Sequence, residues 1–173
     1  IEGYSHGVSI SDINKDGWKD IYVTNDFNPY NVLYINNGDG TFTNKVKEYF
    51  KHTSINSMGQ DIIDINNDGL MDVIELDMSP EDNYRKKTMT NGSNYRIYQN
   101  FDAYGYQYQF VRNVLQVNQG PRMGQQASIG APIFSEIAFY TGIAETDGRW
   151  APGVTRFDKE GFRDIMITTG YPK

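Results

Sequence analysis

The chain has 173 residues, a formal net charge of −6, 38% hydrophobic and 14% aromatic residues, 17 glycines and no cysteine. That length buries a substantial core, and glycine-rich, aromatic-rich composition with modest hydrophobicity suits a loop-rich β protein better than a helical enzyme. The acidic balance argues against a nucleic-acid partner, the absence of cysteine excludes a disulfide framework and a thiolate metal site without fixing a compartment, and no stretch approaches the length of a membrane span.

At the start of the chain, Gly3-Tyr4-Ser5-His6-Gly7 has the form of a G-x-S-x-G nucleophile elbow. An elbow needs a strand before the serine and a helix after it. Here Val8 and Ile10 continue as a strand into an acidic loop, so the segment reads as the small-residue start of that strand, and hydrolase chemistry ranks behind binding. His6 and His52 are the only histidines, and nothing in the sequence ties them to one site.

The acidic loop is Asp12-Ile-Asn-Lys-Asp-Gly-Trp-Lys-Asp20, and it recurs as Asp64-Ile-Asn-Asn-Asp-Gly-Leu-Met-Asp72. Both place oxygen-bearing side chains at positions 1, 3, 5 and 9 and glycine at 6. Ca²⁺ takes six to eight oxygens at about 2.3–2.6 Å, and alternate residues of a tight loop can point inward together. The expected ligands are Asp12, Asn14, Asp16, Asp20 and the Trp18 carbonyl in the first loop. In the second they are Asp64, Asn66, Asp68, Asp72 and the Leu70 carbonyl. Gly17 and Gly69 are expected to supply the left-handed turn around the ion. Two bound Ca²⁺ would offset most of the net charge. An EF-hand shares this spacing and adds a glutamate at position 12. Loop two has Glu75 there, but loop one has Val23, and the flanking Ile21-Tyr22-Val23, Ile62-Ile63 and Val73-Ile74 are β-branched and aromatic runs that read as strands.

After loop one, Asn31-Val-Leu-Tyr-Ile-Asn36 leads into Asn37-Gly38-Asp39-Gly40-Thr41-Phe42, a hairpin whose tip offers positive-φ residues. After loop two an insertion intervenes. Ser79-Pro80-Glu81-Asp82 reads as a capped start to a short helix over about 80–90, stopped by Asn91-Gly92. Tyr104, Tyr106, Tyr108 and Phe110 alternate with Gly105, Gln107 and Gln109, which places the rings on one strand face. They either fill space between sheets or form an aromatic platform, with Tyr95 and Tyr98 the better candidates for exposure. Asn113-Val-Leu-Gln-Val-Asn118 then resumes the unit, and residues 119–132 replace the tight hairpin tip with a longer loop. A third unit starts at Gly153. Aligned on Gly161, it has Arg156 at position 1, Asp158 at 3, Glu160 at 5 and Asp164 at 9. A guanidinium in the first-ligand place repels a cation, so this loop is expected to be metal-free, with Arg156 paired to Asp158 and Asp164.

Strand, loop, strand and hairpin make a four-stranded repeating unit. The chain resembles the FG-GAP or VCBS-type β-propellers, whose blades carry D-x-[DN]-x-D-G-x-x-D loops like those of integrin α-subunit propellers. It is most similar to bacterial VCBS-repeat proteins, often Bacteroidota surface or secreted proteins, through Asn36 to Phe42, Ser57-Met58-Gly59, Leu76 to Asn83 and Trp150-Ala151-Pro152. The resemblance implies an all-β fold of four-stranded antiparallel propeller blades, with a first blade over 4–55, a second over 56–147 with its insertion at about 79–112, and a further blade starting at 148–173. It implies two Ca²⁺ ions and an extracytoplasmic, secreted or outer-membrane surface location. The partner is expected to be a protein or further blades of the same chain. Propellers host many functions; a non-enzymatic binding or scaffolding module is the first expectation and a carbohydrate-binding propeller using the Tyr-rich insertion the second. Because the chain opens on Ile1, it is expected to be a piece of a longer protein, with any export signal or lipid anchor outside it.

Overall fold

The computed structural model describes residues 3–27, 29–88, 95–121, 131–147, 149–158 and 160–169. In chain order these form β1 (Tyr4–Ser11), β2 (Asp20–Asp26), β3 (Val32–Asn36), β4 (Phe42–Asn44), α1 (Val46–Tyr49), β5 (Thr53–Ser54), β6 (Gly59–Ile63) and β7 (Asp72–Leu76). There follow α2 (Asn83–Thr88), α3 (Tyr95–Tyr104), β8 (Gln109–Phe110), β9 (Val114–Pro121), β10 (Pro132–Glu136), β11 (Arg149–Thr155) and β12 (Asp164–Thr169).

Two four-stranded antiparallel sheets carry the fold, ordered β1-β2-β3-β4 and β6-β7-β9-β10, and a β11-β12 hairpin follows. The three units share one register. Ser11 faces Asp20, Ile63 faces Asp72 and Thr155 faces Asp164 across the loop that joins each pair of strands. The sequence produces this because each loop is flanked by β-branched residues that pair directly, while the loop itself holds two left-handed residues. These are Lys15 (φ 59°) with Gly17 (φ 91°), and Asn67 (φ 61°) with Gly69 (φ 82°). Strands rather than helices on both sides set these loops apart from an EF-hand.

The sheets stack face to face with a core between each pair. Between the first and second lie Ile13, Tyr22, Leu33, Ile35, Val46, Tyr49, Phe50, Val73 and Phe134. Phe134 closes this core by stacking on Tyr49 (centroids 6.4 Å) and meeting Phe50 edge-on (4.9 Å). Ile74, Leu76, Leu115 and Val117 on the opposite face of the second sheet pack with Ala138, Ala144 and Val154. The central strand β7 therefore buries both faces, which is why Val73-Ile74 is a continuous apolar run, whereas β2 buries the Tyr22 face and leaves Ile21 and Val23 half-exposed.

A buried segment, His52 to Met58, links the sheets, and its backbone N–H groups from Thr53 to Met58 are each paired, while the Thr53 Oγ1 and His52 Nδ1 atoms are buried without a partner among the described residues. Thr53 and Ile55 N–H donate to the Tyr108 and Phe110 carbonyls, Ser54 N–H to Glu75 Oε2 at 3.0 Å, and Asn56 N–H to Asp77 Oδ2 at 3.0 Å. Tyr22 Oη–H and Asn31 Nδ2 also donate to Glu75. Glu75 is thus an interior acceptor, which accounts for a glutamate at loop position 12 without any role at an ion.

The insertion departs from the sequence reading in two places. Helix α2 begins at Asn83 and is capped by Asp82, whose Oδ2 accepts the Arg85 N–H at 2.8 Å, rather than starting at Pro80 behind Ser79. Tyr104 ends helix α3, and only Gln109–Phe110 is strand. Alternation does hold from 106 to 110, but with the glutamines inside. Gln107 and Gln109 are buried and donate to the Phe50 and Ser54 carbonyls, leaving Tyr106 exposed and Tyr108 and Phe110 half-buried.

Candidate metal centre

Loop one leaves β1 at Ser11 and re-enters the sheet at Asp20, so its carboxylates gather at one corner of the sheet. Its own backbone orients them. Asp12 accepts the Asp16 N–H (3.1 Å) on Oδ1 and the Gly17 N–H (3.0 Å) on Oδ2, Asn14 Oδ1 accepts the Asp16 N–H (3.2 Å), and Asp16 Oδ1 accepts the Trp18 N–H (2.8 Å). Loop two repeats every contact with Asp64, Asn66 and Asp68 as acceptors and the N–H groups of Asp68, Gly69 and Leu70 as donors, at 2.7–3.1 Å.

Position 9 does a second job that spacing alone does not reveal. Asp20 and Asp72 are buried, and each spends one oxygen on the loop and the other on the third strand of its sheet. Asp20 accepts the Ile13 N–H and the Asn36 N–H, both at 2.9 Å; Asp72 accepts the Ile65 and Asn118 N–H groups at 2.8 Å. Next to these, Asn36 and Asn118 each accept the N–H of Gly38 or Gly120 at 2.9 Å. The position-7 side chains lie on those same glycines: a Cβ on Gly38 would meet Trp18 Nε1 at 2.9 Å, and one on Gly120 would meet Leu70 Cδ1 at 3.6 Å. Burial pushes the Asp20 and Asp72 carboxyls up, the two backbone N–H donors pull them down, and the neighbouring loop carboxylates (Asp16 and Asp12, Asp68 and Asp64) push up again. Three carboxylates therefore act on one another in each loop.

The third loop keeps only part of this. Asp164 accepts the Phe157 N–H at 2.9 Å, as Asp20 and Asp72 do in their loops, and Asp158 accepts the Glu160 N–H at 3.0 Å. Arg156 does not pair with either aspartate: among the described residues it makes no ion pair, and its Nη2 donates across to Asn67 Oδ1 of loop two at 3.1 Å. Asn67 in turn donates to the Gly161 carbonyl at 2.8 Å. Loops two and three are thus clasped to each other.

Among the described residues no group of three or more His, Cys, Asp or Glu side chains is drawn together tightly enough to chelate a metal unaided. The oxygens of loops one and two are instead a mixed set: carboxylates, one amide and a backbone carbonyl. That chemistry fits a hard cation that takes carbonyl and water oxygens beside carboxylates. It does not fit a soft or imidazole-seeking metal.

Other candidate residues fall outside this corner. Ser5 lies in β1, followed by more strand, and donates to Asn25 Oδ1 at 2.7 Å, so the elbow geometry is not formed. His6 is exposed; His52 is buried beside Glu136 and Arg112 at 3.2 and 2.8 Å. Tyr95, Tyr98 and Tyr104 lie on α3, with Tyr98 stacked on Tyr108 at 5.5 Å. The sequence gives no signal for the Arg112, His52 and Glu136 cluster, because its members come from three distant segments. Most of the 119–132 loop lies outside the described residues.

Repeated antiparallel sheets with an oxygen-rich loop at the same corner of each define a β-repeat protein. Residues 12–74, from the first carboxylate of loop one to the middle of β7, match the model of an FG-GAP-like repeat. This stretch is an FG-GAP-like repeat. The chain matches no curated protein.

Proposed function

We propose that this chain is a non-enzymatic, calcium-stabilised β-propeller module that binds or scaffolds proteins in a secreted or outer-membrane surface assembly. The observation that carries the reading is the recurrence of one four-stranded sheet, in one register, with the same oxygen-lined loop at the same corner. In each of the first two loops, Asp12, Asn14, Asp16, Asp20 and the Trp18 carbonyl, or Asp64, Asn66, Asp68, Asp72 and the Leu70 carbonyl, would hold one Ca²⁺. The ion would neutralise carboxylates that otherwise repel one another. The third loop is read as metal-free, with the Arg156 cation in the first-ligand position. The recognition surface is then set by what the blades carry rather than by the ions. FG-GAP repeats are typical of extracellular and surface domains, and no helix among the described residues is long and apolar enough to cross a membrane.

A ligand that binds only the folded state raises stability by mass action. Chelation is expected to lower the melting temperature, with Asp16→Ala and Asp68→Ala each removing part of that response; a melt indifferent to chelator overturns the calcium reading. Hydrolysis abolished by Ser5→Ala would overturn the non-enzymatic one.

A carbohydrate-binding reading is favoured by one feature, the exposed rings of Tyr104 and Tyr106 at 6.0 Å from each other, with Tyr30 beside Tyr106 and Lys47 over Tyr30 at 5.4 Å. Oligosaccharide binding lost in Tyr106→Ala would select it over protein scaffolding.

A further inference from the structure

The insertion meets the first unit at a seam that carries rings. Tyr30 stands in the turn between β2 and β3 and packs on the core between the first two units, while Tyr104 ends α3 and Tyr106 follows in the turn after it. Tyr104 and Tyr106 lie 6.0 Å apart at 34°, and Tyr106 and Tyr30 lie 6.0 Å apart at 55°, so the three rings form a ladder of equal steps. Tyr104 is 70% exposed and Tyr106 43%, although both units that make this seam are in place.

The ladder is fixed from behind. Gly105 takes the left-handed conformation (φ 62°) that caps α3, which brings the Tyr106 N–H to the carbonyl of buried Phe101 at 2.9 Å. Gln107 Nε2 donates to the Phe50 carbonyl at 2.9 Å, and Asn25 Nδ2 donates to the Tyr30 carbonyl at 3.0 Å. Exposed rings held in this way lose little freedom when a ligand stacks on them.

A cation stands at the end of the ladder. Lys47 Nζ lies 5.4 Å over the Tyr30 ring and donates to the Gly105 carbonyl, which leaves further N–H groups for a ligand. Among the described residues it forms no ion pair. From Lys45 to Lys51 the chain carries three lysines against one carboxylate, Glu48, which pairs with Lys45 at 2.6 Å. In a molecule of net charge −6 this is a local excess of positive charge beside exposed rings. The charge selects an anion, and the equal steps select a ligand of repeating rings over a single side chain of a protein partner.

We propose that the Tyr104-Tyr106-Tyr30 ladder binds an acidic oligosaccharide, with its sugar rings stacked on the tyrosines and a carboxylate of the sugar chain paired with Lys47. This rests on the carbohydrate reading given above and deepens it by assigning the charge of the sugar.

Isothermal titration with trigalacturonate and with its methyl ester, which keeps the sugar rings and loses the charges, tests it. Wild type is expected to bind the acid about three- to fivefold more tightly than the ester, the worth of one exposed charge pair, with the ratio falling toward one in high salt. Lys47→Met should bind acid and ester alike, Lys47→Arg should keep the preference, and Tyr106→Ala should bind neither. The salt series needs no variant, so it decides the matter if Lys47→Met disturbs the turn at Gly105. An ester bound by wild type as tightly as the acid, or a preference that survives in Lys47→Met, overturns this proposal and leaves the carbohydrate reading standing. Wild type that binds neither sugar overturns both. A tetraglutamate peptide bound as tightly as the sugar acid overturns the proposal in favour of an acidic protein partner.

Discussion

Asp20, Asp72 and Asp164 occupy the same position in three loops, and all three accept the N–H of the second loop residue. That shared bond explains why Asp164 is present in a loop whose first ligand is Arg156: the carboxylate folds the loop whether or not an ion arrives. Asp164→Ala is expected to destabilise the protein by about 1.5–3 kcal/mol, the worth of a hydrogen bond to a charged acceptor, and by the same amount with or without calcium in a chemical denaturation series. Gly59 is a residue where one methyl group matters, because its Cβ would overlap the Trp150 backbone oxygen. Gly59→Ala should cost about 1–3 kcal/mol in the same measurement, whereas Gly153→Ala, whose Cβ would rest 3.5 Å from Met166 Cε, should be close to neutral. Asp77 carries a pH signature. Burial pushes its carboxyl up to about 7 against the pull of the Ser54 hydroxyl and the Asn56 and Met78 N–H groups. A group raised in the folded state contributes its stability in full below its unfolded value of about 3.9 and loses it as pH rises through the folded value. The melting temperature of Asp77→Asn relative to wild type should therefore climb between about pH 4 and pH 7; a difference that is flat with pH would contradict this account.

At the scale of elements, the paired strands and their loops were legible because local chemistry fixes them. β-branched runs, a glycine at position 6 and the Asn-Gly and Asp-Gly hairpin tip at Gly38 (φ 76°) and Gly40 (φ 89°) each act over a few residues. The insertion was not legible for the opposite reason. Alternation between Tyr106 and Phe110 is equally consistent with rings inside or glutamines inside, and the choice is made by the Phe50 and Ser54 carbonyls, more than fifty residues away, which need donors. Likewise, charge spacing suggested that Arg156 would pair within its own loop, but the Asn67 side chain of the neighbouring loop is presented to it by a left-handed backbone. Helix α2 is held by side chains that the sequence does not associate with it: Arg85 reaches Asp147 at 2.7 Å and Lys86 reaches Glu145. These pairs are half-exposed, so Arg85→Ala should change global stability by no more than about 1 kcal/mol while raising local amide exchange over α2.

Over the whole molecule, two cores lie between three stacked units, and buried polar side chains such as Asn31, Ser57 and Glu75 are hydrogen-bonded between the first two sheets. Removing one partner of that network leaves a buried acceptor uncompensated, which makes the junction specific to one way of stacking. Repetition itself was visible in the sequence; the direction of stacking was not, because it depends on which face of each sheet carries the larger side chains. The proposed Ca²⁺ ions would act as clasps at the loop corners, and counting them tests that proposal most directly. Isothermal titration of the metal-stripped protein with Ca²⁺ is expected to give two ions per chain, falling to one in Asp16→Ala and one in Asp68→Ala. A stoichiometry of zero, or of three with Asp158, Glu160 and Asp164 engaged, would contradict it.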